Sequence, residues 1–200
     1  MPRSLERLLA PVAIALFAAA MPASSLAAER EPTTDERFRG LYGGVASSVT
    51  SIGGSAGLLV GPQVGLVAGD YVFGLSAQAL ATSVEPEALR TPAGGGHVRL
   101  GYGLAQIGTV LFKDERVHVV PSLMFGAGGV SAAKGGASSS ETIFVLEPKI
   151  ELELAPPAVR ALRFGAQGSY RFVSAFELDG LTASALSGPA AGVFVKAGFF

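Results

Sequence analysis

The chain has no cysteine and no tryptophan. Without thiols it has no disulfide, no thiolate metal site, no cysteine nucleophile and no lipidated cysteine of the lipoprotein type. Charge is scarce as well: Asp, Glu, Lys and Arg make up 16% of the 200 residues, against roughly 25% in soluble domains. The formal net charge is −1, so no basic surface is offered to nucleic acid. There are two histidines, His97 and His118, far apart in the chain. With no cysteine beside them they leave no usual nitrogen or sulfur metal site, and no cofactor is implied. Beyond the N-terminal segment no run of 18 apolar residues remains, which argues against a helical membrane protein.

What is present begins with a processing signal. Arg3 and Arg7 precede an apolar run of 13 residues from Leu8 to Ala20, and Ser25-Leu26-Ala27 supplies small residues after it. This pattern predicts a secretory signal peptide over residues 1–28, cut near Ala27 or Ala28. The run falls short of the roughly 20 residues a spanning helix needs. Residues 29–36, E-R-E-P-T-T-D-E, read as a flexible periplasmic lead-in. Residues 37–200 form one domain.

The clearest signal in that domain is alternation. Glu147, Lys149, Glu151 and Glu153 fall on one parity, and Pro148, Ile150, Leu152 and Leu154 on the other. A period of two belongs to a strand, because successive side chains point to opposite faces. Eight such segments are predicted, at 37–50, 57–69, 72–83, 97–112, 117–130, 142–154, 160–176 and 191–200. In the fourth, Val98, Leu100, Tyr102 and Leu104 oppose His97, Arg99, Gly101 and Gly103. In the seventh, Leu162, Phe164, Tyr170 and Phe172 oppose Arg163, Gln167, Ser169 and Arg171. In the eighth, Val193, Val195, Ala197 and Phe199 oppose Lys196 and Gly198.

The connections near 69–71, 113–116 and 155–159 read as short, and those near 51–56, 84–96, 131–141 and 177–190 as mostly longer. Alternating short and long connections suit an up-and-down barrel with one rim toward the periplasm. In lipid every backbone polar group must be paired, and a sheet achieves this by closing on itself. The expected fold class is therefore all-β: an eight-stranded antiparallel up-and-down transmembrane β-barrel.

A barrel of eight strands has an interior just wide enough for side chains. The expected interior charge network is Arg99, Glu147, Lys149, Glu151, Glu153, Arg163, Arg171 and Lys196, with the signs nearly balanced. Opposed charges on neighbouring strands pair in a low-dielectric lumen. The expected membrane-facing set includes Ile150, Leu152, Phe164, Tyr170 and Phe172, with Tyr102, Phe112, Phe125, Phe144, Phe176 and Phe199 as further outward aromatics. Alternation alone also fits a soluble, lipocalin-like barrel with the faces reversed. The signal peptide, the low charge and the terminal Phe favour the membrane.

On these features the chain resembles a small bacterial outer-membrane β-barrel protein of the eight-stranded OmpA/OmpX-like class. The resemblance covers residues 37–200 and includes the terminal strand G-V-F-V-K-A-G-F-F. It implies location in the bacterial outer membrane, contact with outer-membrane lipid and lipopolysaccharide, and insertion by the barrel-assembly machinery as a monomer. A C-terminal aromatic is the mark that machinery reads, which implicates Phe200. The family pattern wants apolar residues at alternate positions counted back from it. Here those positions are Gly198, Lys196 and Phe194, so the apolar set is one residue out of phase.

Catalysis has little to stand on. His97 is placed at the outer end of the fourth strand and His118 at the inner end of the fifth, so they share no site. Glu85 and Glu87 precede His97 in a loop, and no positioned Ser follows it. No catalytic residue is assigned. The leading reading is a non-enzymatic barrel with a structural or surface-interaction role. A narrow channel or small-molecule carrier is the second, and a lipid-modifying outer-membrane enzyme the third.

Overall fold

A computed structural model describes residues 40–86, 96–112, 116–134, 137–159, 161–174, 176–178 and 181–199. The signal peptide and lead-in expected from the sequence lie outside the described residues, as do Glu87 and Phe200.

Eight long strands close into one antiparallel barrel. They are β1 (Gly40–Ile52), β2 (Ser55–Ala68), β3 (Tyr71–Leu80), β4 (His97–Thr109), β5 (Val117–Lys134), β6 (Ala137–Leu154), β7 (Leu162–Val173) and β10 (Gly188–Gly198). Between β7 and β10 lie two short strands, β8 (Glu177–Leu178) and β9 (Leu181–Thr182), and a one-turn helix, α1 (Ala183–Leu186). The ring closes where β10 pairs with β1, Tyr42 facing Gly198 and Thr50 facing Ala190.

The register fixes the geometry. One row of paired residues runs from Gly40 through Val67, Val72, Gly108, Ser122, Lys149, Ser169 and Ala190 to Thr50. It leaves β1 at 40 and returns at 50, a stagger of 50 − 40 = 10 residues around the ring. Ten residues of rise over eight strand spacings tilt the strands by about 40°. On β6 the outward residues from Leu154 to Phe144, Pro148 among them, are all apolar and exposed. At that tilt they cover about 25 Å of height, the thickness of an outer-membrane apolar band.

Two sequence expectations are corrected. The first concerns the outer connections. Gly53 and Gly54, both with positive φ (55° and 84°), make a two-residue turn between β1 and β2. At the top of β5 and β6, Lys134 pairs with Ala137 across another two-residue connection. The 131–141 segment thus belongs largely to strands, so short and long connections do not strictly alternate. Its small Ser and Ala side chains pair without an apolar face to advertise them.

The second concerns the phase of β4. Val98, Leu100, Tyr102 and Leu104 were expected outside and are buried inside; Arg99 was expected inside and is exposed on the outer wall. The cause is the character of the upper interior, which is apolar. Ile52, Leu59, Leu100, Leu104, Met124 and Ile143 pack there, beneath Leu178, Leu181 and Leu186 from the β8–β9–α1 excursion. The excursion caps this half of the barrel. Gly53 N–H donates to Ala185 O at 2.7 Å, and Val173 N–H to Ser187 Oγ at 3.0 Å.

Candidate functional site: the charged lumen

Below the apolar layer the lumen is ionic. The β6 alternation puts Glu147, Lys149, Glu151 and Glu153 inside, all buried. Glu151 is the centre, with no solvent-accessible surface. Its Oε1 accepts from Lys149 Nζ at 2.8 Å, and its Oε2 from Lys196 Nζ at 2.7 Å. Lys196, which comes from β10, also donates to Glu153 Oε1 at 2.5 Å. Arg163 of β7 donates to Glu153 Oε2 at 3.3 Å and also hydrogen-bonds His118 Nδ1. A guanidinium only donates, so that ring nitrogen is the acceptor. His118 faces Glu153 in the β5–β6 register, which delivers it to the cluster.

The opposite wall makes room. Lys196 Nζ lies 4.8 Å from the centroid of the Tyr42 ring and 4.7 Å from that of Phe194. Such cation–π contacts strengthen out of water. The Tyr42 side chain reaches β2 and β3 at Gly65 and Gly74. A Cβ on Gly65 would sit 2.5 Å from the Tyr42 hydroxyl oxygen, so a side chain there would displace the ring.

Higher up, Arg171 is fully buried. It donates to Leu186 O at 2.8 Å, to Tyr102 Oη at 3.2 Å and to Thr50 Oγ1 at 3.2 Å. It thereby ties α1 to three strands of the wall. Glu147 accepts from Ser169 Oγ at 2.6 Å through Oε1, and its Oε2 has no partner among the described residues. Gln167 donates to Ser48 Oγ at 2.7 Å.

Of the eight interior residues expected, seven line the lumen and Arg99 does not. Lys149, Glu151, Glu153, Arg163 and Lys196 form one connected cluster; Glu147 and Arg171 stand above it. Ile150, Leu152, Phe164, Tyr170 and Phe172 are all exposed on the outer wall. Sequence reasoning missed His118 and Tyr42 as members. The parity of His118 on β5 carried a signal, but its partner Glu153 is set by register.

It also missed Ser83 at the outer rim, although it had Glu85 within reach of His97. Ser83 Oγ lies 2.8 Å from His97 Nδ1, and Glu85 Oε1 lies 3.7 Å from the same nitrogen. In a nucleophile–base–acid relay the acid orients the imidazole through the nitrogen the nucleophile does not use. Here Ser and Glu share one nitrogen, and the relay is not formed.

No family model and no curated protein matches the chain. Solved structures do. Neisserial surface protein A superposes with a TM-score of 0.56 at 13% identity, covering 79% of this chain and 95% of its own. The N-terminal β-barrel domain of Pseudomonas aeruginosa OprF gives 0.57 at 10% identity, covering 82% and 99%. Ail, the attachment invasion locus protein of Yersinia pestis, gives 0.50 at 17% identity, covering 82% and 98%. At these identities the likeness speaks to architecture, and the chain has the fold of the small eight-stranded outer-membrane β-barrels.

Proposed function

We propose that this chain is a non-conducting outer-membrane barrel with a structural and surface-interaction role. The observation that carries it is the Glu151 cluster. A fully buried carboxylate has both oxygens held by lysines from β6 and β10, and the capped apolar layer lies above it. An ion entering from below meets charges already satisfied by one another. One entering from above meets hydrocarbon side chains with no water to replace its shell. Both termini of the barrel, Gly40 and Gly198, lie at the rim of the 69–70 turn, which we assign to the periplasm. The opposite rim then faces outward. There β6 runs past the last residue of β7, since Val145 pairs with Val173 and residues 137–144 extend beyond. This polar hairpin, S-S-S-E-T on its β6 arm, is the surface available to partners. The names of two structural neighbours, a surface protein and an attachment protein, support that emphasis. Lipopolysaccharide would surround the outer half of the wall, and Phe200 would serve the assembly machinery. The test is purified protein in a planar bilayer. We expect no steady single-channel steps; reproducible steps of fixed amplitude would overturn the reading.

A further inference from the structure

Between the ionic cluster and the apolar top the lumen has a third layer. Five buried polar atoms there have no hydrogen-bond partner among the described residues: Gln63 Nε2, Ser76 Oγ, Gln106 Nε2, Ser122 Oγ and Gln167 Oε1. They come from β2, β3, β4, β5 and β7. The register gathers them. Gln63 pairs directly with Ser76, and Ser76 and Ser122 each stand diagonal to Gln106. Ser122 pairs with Lys149, and Gln167 stands diagonal to Lys149. The stagger around the ring lifts each strand-to-strand step by roughly 1.25 residues; with that allowance the five positions lie within about 4 Å of one height. Glu151 is the next inward residue below Lys149. Leu104 is the next above Gln106, and Met124 the next above Ser122. The belt therefore has ions beneath it and hydrocarbon above.

The same ring has room. Across the barrel Ser122 lies opposite Ala46, Gln106 opposite Gly192, and Ser76 opposite Gln167, so each of these three diameters carries a small residue. On the fourth, Lys149 lies opposite Gln63 but gives its ammonium to Glu151 below. Gln167 spends its amide nitrogen on Ser48 Oγ at 2.7 Å, which leaves its carbonyl oxygen as the open acceptor. An eight-stranded interior is just filled by ordinary side chains. A ring that includes Gly, Ala and two Ser is not.

Chemistry selects the occupant. A buried polar group left unpaired costs its full desolvation. The amide nitrogens of Gln63 and Gln106 need acceptors, Gln167 Oε1 needs a donor, and each Ser hydroxyl takes either role. A metal cation offers the amides nothing, and an anion offers the carbonyl nothing. Water donates and accepts from one atom, and at buried polar sites it makes about three such bonds.

We propose that a cluster of trapped water fills this mid-depth ring and links β2, β3, β4, β5 and β7 through their inward side chains. It also wets the upper face of the ionic cluster, since an ammonium has three donors and Lys149 gives one of them to Glu151. The lumen is thus stratified into ions, water and hydrocarbon, and the water is held by the wall on every side.

Water itself is the probe. Carbon-13-labelled protein is reconstituted in chain-deuterated phosphatidylcholine bilayers, and polarisation is passed from water protons to side-chain carbons by solid-state NMR. We expect the Cβ carbons of Ala46, Ser76 and Ser122 to gain signal several-fold faster than the methyl carbons of Ile143, in the apolar layer, or of Ile150, on the lipid side. Ser122→Leu then fills the diameter to Ala46; Ser76→Leu replaces it if that variant fails to insert. Folding is checked by electrophoretic mobility before and after boiling. In the filled ring the Ala46 rate should fall to that of Ile143. Equal rates at Ala46 and Ile143 in the parent, both slow, would overturn the proposal. An Ala46 rate unchanged by filling would do the same. Rapid transfer at Ile143 as well would mean an open lumen in place of a closed layer, and would also sink it.

Discussion

Replacing Lys196 by Met tests whether the lumen cluster is a buried ionic unit. The ammonium touches Glu151 Oε2 at 2.7 Å and Glu153 Oε1 at 2.5 Å, and it is 1% exposed. Met keeps most of the volume and removes the charge. Glu151 then retains Lys149 on one oxygen and nothing on the other, while Glu153 retains Arg163. Removing one partner from a buried pair costs about 3–5 kcal/mol, because an uncompensated charge stays behind. That is roughly a thousandfold in the folded-to-unfolded ratio. The assay is urea unfolding in lipid vesicles, read by the mobility difference between folded and unfolded protein. A second variant, Lys196→Met with Glu153→Gln, removes one cation and one carboxylate together. Its cost should fall short of the sum of the single costs by about 1–3 kcal/mol, as contacting members of one network do. A Lys196→Met cost under about 1 kcal/mol would refute the reasoning, since that is the range of a solvated surface pair. Additive single costs would refute it equally.

The outer wall and the cap give three further expectations. Ile150→Arg places a charge near the middle of the apolar band and should cost about 2–4 kcal/mol in the same vesicle assay. Arg99→Ala, on the outer wall near the rim, should change stability by no more than about 1 kcal/mol, the range of an exposed polar contact. Arg171→Met removes three hydrogen bonds, one of them to Leu186 O. Limited proteolysis should then cut within residues 176–187 while the rest of the barrel stays protease-resistant. Resistance equal to the parent would show that α1 does not depend on the guanidinium.

How much of this was legible beforehand depended on contrast between faces. On β6 the two parities differ in charge at Glu147, Lys149, Glu151 and Glu153, and there is one way to set that strand between lipid and an ionic interior. The same holds for Arg171 on β7 and Lys196 on β10, whose inward phase follows from their apolar neighbours. β4 lacks that contrast. Its inward face is Val98, Leu100, Tyr102 and Leu104, and its outward face includes Gly101 and Gly103. Alternation shows two faces there but not which solvent each meets. The deciding fact is the apolar cap from Leu178, Leu181 and Leu186, brought over by a connection that reads as loop. The β5–β6 extension was hidden for another reason: Ser and Ala pair through their backbones and leave no periodic trace. Ser83 beside His97 is a tertiary contact across 14 residues of chain, and no spacing rule reaches it.

The placement of α1 has a consequence for biogenesis. Leu186 is two residues from the first residue of β10, the strand that zips against β1. The stopper and the final stave are thus carried by one short piece of chain, separated by Ser187 alone. A ring sealed before Leu186 was seated would trap it outside, with no slack to bring it in later. Seating the stopper and sealing the ring are therefore a single event, and any lesion that delays one stalls the other.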